Sequence, residues 1–144
     1  MTKIIFLFLI NTYLCGMFEI IIPIYDIKLL VSIGQTDKEF LSSLKKTKFK
    51  CGKQCLIPDA EAYFIPFEGA HLLIRCKHKL KKAAHIGILS HEVLHATIYI
   101  LHRAGFRLTK HSEEAFTYLQ EYIVTQILKK WKVLKQGQIK INRK

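Results

Sequence analysis

The fold turns on residues 83–104, AAHIGILSHEVLHATIYILHRA, a proline-free run in which apolar side chains recur at Ile86, Leu89, Val93, Leu94, Ile98 and Leu101. A pattern of that length specifies a helix rather than a strand, and apolar residues on most of its faces predict a buried, central one. Gly105 follows as its end cap. The helix begins between Leu80 and Ala83, because Lys77, Lys79, Lys81 and Lys82 place positive charge where the helix dipole opposes it. Those lysines read as a solvated edge within reach of a phosphate.

Beyond the connection from Arg103 to His111, Ser112 is placed to cap a second helix from Glu113 to about Trp131, with Phe116, Leu119, Ile123 and Ile127 as its apolar stripe. Ahead of the central helix, Phe18 to Ile24 and Ile27 to Ile33 are β-branched runs joined tightly at Tyr25-Asp26. Thr36 or Asp37 can cap a short helix through about Lys46, with Phe40, Leu41 and Leu44 at helical spacing, and a polar, basic loop follows. Ala62 to Phe67 and His71 to Cys76 flank Glu68-Gly69-Ala70 as a hairpin. The expected class is α+β: a small antiparallel sheet followed by two packed helices.

A chain of 144 residues, half of them hydrophobic, suits one domain and excludes a disordered or collagen-like polymer. That domain is expected over 17–131, between an extension at 1–16 and a basic tail at 132–144. Seven of the basic residues lie from Lys129 onward with no acid among them, more than half of the formal charge of +12. This tail suits nucleic acid, anionic lipid or an acidic partner, or serves solubility. Lys3 followed by Ile4 to Ile10 has the make-up of a signal segment, yet Tyr13-Leu14-Cys15-Gly16 is a poor cleavage region, and Asn11 and Thr12 interrupt a membrane span. Met17 is an alternative start. A dispensable extension, a signal or anchor, and a core strand all remain open for 1–16. Cys15, Cys51, Cys55 and Cys76 are too few for a secreted disulfide framework, so a cytoplasmic location is expected, with secretion or anchoring if the signal is genuine.

On the central helix stands His91-Glu92-Val93-Leu94-His95, the H-E-x-x-H pattern. Histidines at i and i+4 share one helix face, so their imidazoles can converge on one Zn²⁺, while the adjacent glutamate can take a proton from water. A catalytic zinc needs a third protein ligand. His102 lies on nearly the same face but two turns past His95, about 10 Å along a straight axis. Glu113 and Glu114 open the next helix, whose antiparallel return can bring one of them beside the histidines, although acids in a first turn are favoured by the dipole in any case. Cys51-x-x-x-Cys55 with Cys76-Lys77-His78 is an off-pattern second zinc site, and incidental thiols are the better reading. His71 and His85 have no short-range partner and read as ordinary residues.

His91-Glu92-x-x-His95 followed by Glu114-Ala115 resembles the gluzincin group of zinc metallopeptidases, and Ser90 to Tyr122 resembles small zincins of phage and mobile elements. The resemblance covers about 35 residues and implies one zinc per chain on His91, His95 and Glu114, with Glu92 as general base and Glu113 as alternative ligand. Tyr118 stands where larger gluzincins carry an aspartate, and the oxyanion-holding subdomain of those enzymes has no counterpart. Tyr118 and His102, with Tyr99 and His111, are the candidate stabilisers. The basic tail and Trp131 keep a second resemblance open, to SprT-like zincins acting on DNA-bound proteins, with His111 as third ligand. The resulting expectation is a zinc-dependent peptidase whose substrate strand pairs with an edge strand near His71 to Cys76. The alternatives are a nucleic-acid-targeted protease and a non-catalytic basic binding module.

Overall fold

The computed structural model describes residues 16–68 and 70–141, with side chains up to Lys132. The extension apart from Gly16, the Gly69 turn and the side chains of the basic tail lie outside the described residues. Four strands, β1 (Met17–Ile22), β2 (Ile27–Ile33), β3 (Ala62–Pro66) and β4 (His71–Cys76), accompany three α-helices, α1 (Asp37–Leu44), α2 (Ala83–Arg103) and α3 (Glu113–Ile141). The class is α+β, as the sequence implies.

The sheet is mixed rather than antiparallel. Its order is β1-β2-β4-β3, and the central pair β2 and β4 runs parallel. Leu29-Leu30-Val31 and Leu72-Leu73-Ile74 explain this, because consecutive apolar residues must bury both faces of the strand, and a parallel pair covered on both sides satisfies them. Val31, Ile33, Ile74 and Cys76 face a core shared with α2 and α3. On the opposite face Met17, Leu30 and Leu73 pack under Phe40 and Leu44 of α1 and under Phe49 and Cys55 of the following loop. The segment from α1 to the loop is therefore a third layer.

Local chemistry fixes the ends. Thr36 and Glu39 form a capping box on α1, Oγ1 accepting from the Glu39 N–H at 3.3 Å and the Glu39 carboxylate accepting from the Thr36 N–H at 2.8 Å. The Thr36 backbone donor, then its hydroxyl and the nearby Lys79 charge, hold the Glu39 carboxyl below its ordinary range. Gly105 ends α2 at φ +88°, where Phe106 N–H reaches Leu101 O at 2.8 Å and Gly105 N–H reaches His102 O at 3.0 Å, a Schellman closure. Ser112 is the expected cap of α3, but its hydroxyl turns back to the connection, donating to Arg107 O and accepting from Thr109 N–H. The helix runs ten residues past Trp131, so the expected basic tail continues it. Among the described residues no helix is long and apolar enough to cross a membrane.

Arg75 on β4 is fully buried and points into the α1 layer. Its guanidinium donates to Tyr63 Oη at 3.1 Å, Gln35 O at 3.2 Å and Asp37 Oδ1 at 2.7 Å, and lies 4.3 Å from the Phe40 ring centre. Truncating Arg75→Ala deletes packing and leaves these acceptors unmet, so denaturant unfolding should show a loss of about 3–5 kcal/mol. Arg75→Met keeps most of the volume and should lose clearly less; equal losses would refute the packing share of this account.

Candidate metal centre

α2 buries one side only: Leu89, Val93, Ala96, Thr97, Ile100 and Leu101 are covered, while Ile86 and Leu94 remain exposed. The expectation of a helix buried on most faces is thus corrected, since the sheet and α3 cover only one side of it. His91 and His95 lie on the open side and are themselves exposed. Their rings meet edge to face, and Nε2 of one lies 3.1 Å from Nε2 of the other. Two nitrogens bound tetrahedrally at about 2.0–2.1 Å from a zinc ion sit about 3.3 Å apart. The separation of the pair is close to that of two corners of such a site.

Glu92 is half-buried. Burial pushes the Cys76 thiol up, the His78 backbone contact opposes that shift, and the charges of Glu61 and Glu92 add to it. The Glu92 charge is therefore within electrostatic reach of the Cys76 thiol at the end of β4. Seven residues to either side stand His85 and Tyr99, on the same stripe of α2. The His85 ring stacks on His78 at 4.8 Å, its Nδ1 lies 2.8 Å from Lys79 O, and His78 Nε2 lies 3.4 Å from Glu61 Oε1. Tyr99 packs on Phe64 of β3, ring centres 5.8 Å apart. His85, expected to be ordinary, therefore has a ring partner in His78 and shares the α2 stripe of Glu92. Its spacing of seven from Glu92 was the available signal.

The edge strand packed under α2 is β3, since His71–Cys76 is interior to the sheet. Phe67 N–H bonds His71 O and Lys77 N–H bonds Glu61 O, so alternation turns the N–H and C=O of Ala62 and Phe64 away from β4. Among the described residues no hydrogen bond engages those outward groups. The other edge, β1, is covered where Lys130 donates to Glu19 O.

α3 returns beside α2, with Gln120 Nε2 3.3 Å from Ser90 O and the Phe116 ring edge-on to His102 at 6.1 Å. Phe116, Leu119 and Ile123 are buried, which fixes the inward face of α3. Glu113 lies three residues before Phe116 and seven before Gln120, on the flank toward α2; Glu114 shares the outward stripe with Tyr118, which is 65% exposed. His111 is exposed in the connection, its N–H on Thr109 Oγ1. Among the described residues no group of three His, Cys, Asp or Glu stands close enough to hold a metal ion. The structure brings His91 and His95 together and brings none of Glu113, Glu114 and His111 into a triad with them.

The second zinc site is corrected. Cys51 and Cys55 are joined as a disulfide, Cα atoms 6.0 Å apart, and Cys55 packs on the α1 face of the sheet, whereas Cys76 is a free thiol buried on the α2 face. A four-stranded sheet separates them. The chain matches no protein-family model, no curated protein and no solved structure.

Zinc affinity measured against a chromophoric chelator should fall by more than about a hundredfold in His91→Ala and His95→Ala, since even outer partners of a zinc ligand contribute about 10–100-fold. Glu113→Gln should cost more than Glu114→Gln or His111→Ala. A dominant loss in Glu114→Gln would instead mean that α3 turns its outward stripe inward on binding, and a dominant loss in His111→Ala would put the connection on the metal.

Proposed function

We propose that the chain is a zinc-dependent hydrolase of peptide bonds. The observation that carries this reading is the 3.1 Å approach of the two Nε2 atoms one helical turn apart, with Glu92 between them in sequence, half-buried on the helix that packs over the open edge strand β3. His91, His95 and a first-turn glutamate of α3 hold the ion, Glu113 by the helical face and Glu114 by resemblance. When bound, the ion supplies Lewis acidity that acidifies water and polarises a carbonyl. Glu92 accepts the proton of the attacking water and returns it to the departing amine. An extended substrate lies along β3 and exchanges hydrogen bonds with Ala62 and Phe64, the register that brings its backbone beside Glu92. Tyr118 and His102 enter this reading only as stabilisers, and Tyr118 needs α3 to turn before it can serve.

The Cys51–Cys55 pair supports an oxidising compartment, where such a bond persists. That favours the exported version of this reading, with the apolar segment near Lys3 as its signal or anchor, over the cytoplasmic one. Alkylating unfolded, unreduced protein isolated with thiols blocked should then modify Cys76 and spare Cys51 and Cys55; modification of all three would return the reading to a reducing compartment.

The decisive variant is Glu92→Gln. The amide keeps the size but accepts no proton, so cleavage of a quenched peptide library should fall at least about a thousandfold while zinc content and circular dichroism stay unchanged. Wild-type turnover in this variant would remove Glu92 from the chemistry.

A further inference from the structure

The layer opposite the histidines carries its own chemistry. After α1 the chain holds Lys45, Lys46, Lys48, Lys50 and Lys53, all exposed, and no acid stands between Glu39 and Asp59. The loop is pinned from within. Phe49 is buried, edge-on to Phe67 at 5.6 Å and to His71 at 5.0 Å. The Cys51–Cys55 disulfide closes the next turn, and Tyr63 Oη donates to Cys55 O at 2.6 Å. Five ammonium groups therefore stand on a fixed base, and little backbone freedom is lost when they meet a partner.

The sheet register extends this surface sideways. His71 pairs with Lys28, and Lys28 with Ile21, so the three side chains share the face on which Phe49 sits. Ile21 is 55% exposed. Ile24, on the turn that carries β1 into β2, is 87% exposed, the most exposed large apolar residue among those described. Asp26 and Glu68 on the neighbouring turns and Glu19, two residues before Ile21 on the same face of β1, are three acids against Lys28 and the five loop lysines.

We propose that this face docks on the surface of an anionic phospholipid bilayer, with Ile24 and Ile21 entering the headgroup boundary and the loop lysines lying against lipid phosphates. Burying isoleucine in the interface recovers its apolar contribution, and each lysine near a negatively charged leaflet adds about fivefold to binding. A nucleic acid would use the lysines but not the isoleucines. It would also lack a stacking platform on the loop, whose aromatic residue, Phe49, points into the core. The inference is independent of the metal site, which lies on the other side of the sheet.

The test is co-sedimentation of the full chain with vesicles of phosphatidylcholine alone or with about one quarter phosphatidylserine. Binding should require the anionic lipid and weaken as salt rises. Lys46→Glu/Lys48→Glu/Lys50→Glu should reduce it at least about tenfold, and Ile24→Ser should reduce it several-fold with the salt dependence unchanged. These positions are exposed, and circular dichroism should confirm unchanged folds. Equal binding to neutral vesicles, full retention in the triple variant, or insensitivity to Ile24→Ser would each overturn the proposal. So would binding to a DNA duplex with none to vesicles, which would make the face a nucleic-acid surface.

Discussion

A cation with no route to water holds the α1 layer in place. Removing the Arg75 guanidinium from solvent is tolerable only while Tyr63, Gln35 and Asp37 accept its hydrogen bonds and Phe40 lies against it. Those partners come from β3, from the turn after β2 and from α1, so one side chain on β4 makes the placement of three separate segments mutually dependent. Ser32, Gln35 and Ser43 extend the arrangement, Ser32 donating to Gln35 at 2.8 Å and Gln35 to Ser43 at 2.9 Å inside the same layer. Arg75 Nε remains without a partner, a residual cost that the ring contact and three hydrogen bonds outweigh.

With that layer fixed, the sheet divides the molecule into two working faces. On one, α2 presents paired imidazoles to solvent and packs over the edge strand β3. On the other, a stapled loop concentrates ammonium groups beside uncovered isoleucines. The two central strands are buried on both sides from Leu29 to Ile33 and from Leu72 to Cys76, so the two faces share no side chain.

Much of this was legible from side-chain order. Phe116, Leu119, Ile123 and Ile127 are all buried as the 3.6-residue period requires, and Gly105 ends α2 as its position implies. The histidine pair was equally legible, because a spacing of four admits one geometry on a helix. What escaped depends on contacts far apart in the chain. The double-sided apolar runs of β2 and β4 call for a third layer, but its material is a lysine-rich stretch that resembles a loop and is anchored by Phe49, Cys55 and a buried arginine. The open side of α2 escaped as well, because Ile86 and Leu94 are as apolar as Leu89 and only the position of the sheet decides which of them is covered. Which first-turn glutamate turns toward α2 depends on the rotation of α3 about its own axis, where 100° separates Glu113 from Glu114.

The shortness of β3 has a consequence for anything that pairs with it. Only Ala62 and Phe64 offer both an outward donor and an outward acceptor, and Pro66 at the end of the strand has no N–H to give. A visiting strand therefore gains about five backbone hydrogen bonds, each worth about 0.5–1.5 kcal/mol net, against an association cost of comparable size. Such an edge would hold an extended chain only briefly, leaving selection to side-chain contacts. The same brevity limits edge-to-edge pairing of two copies to the same few hydrogen bonds.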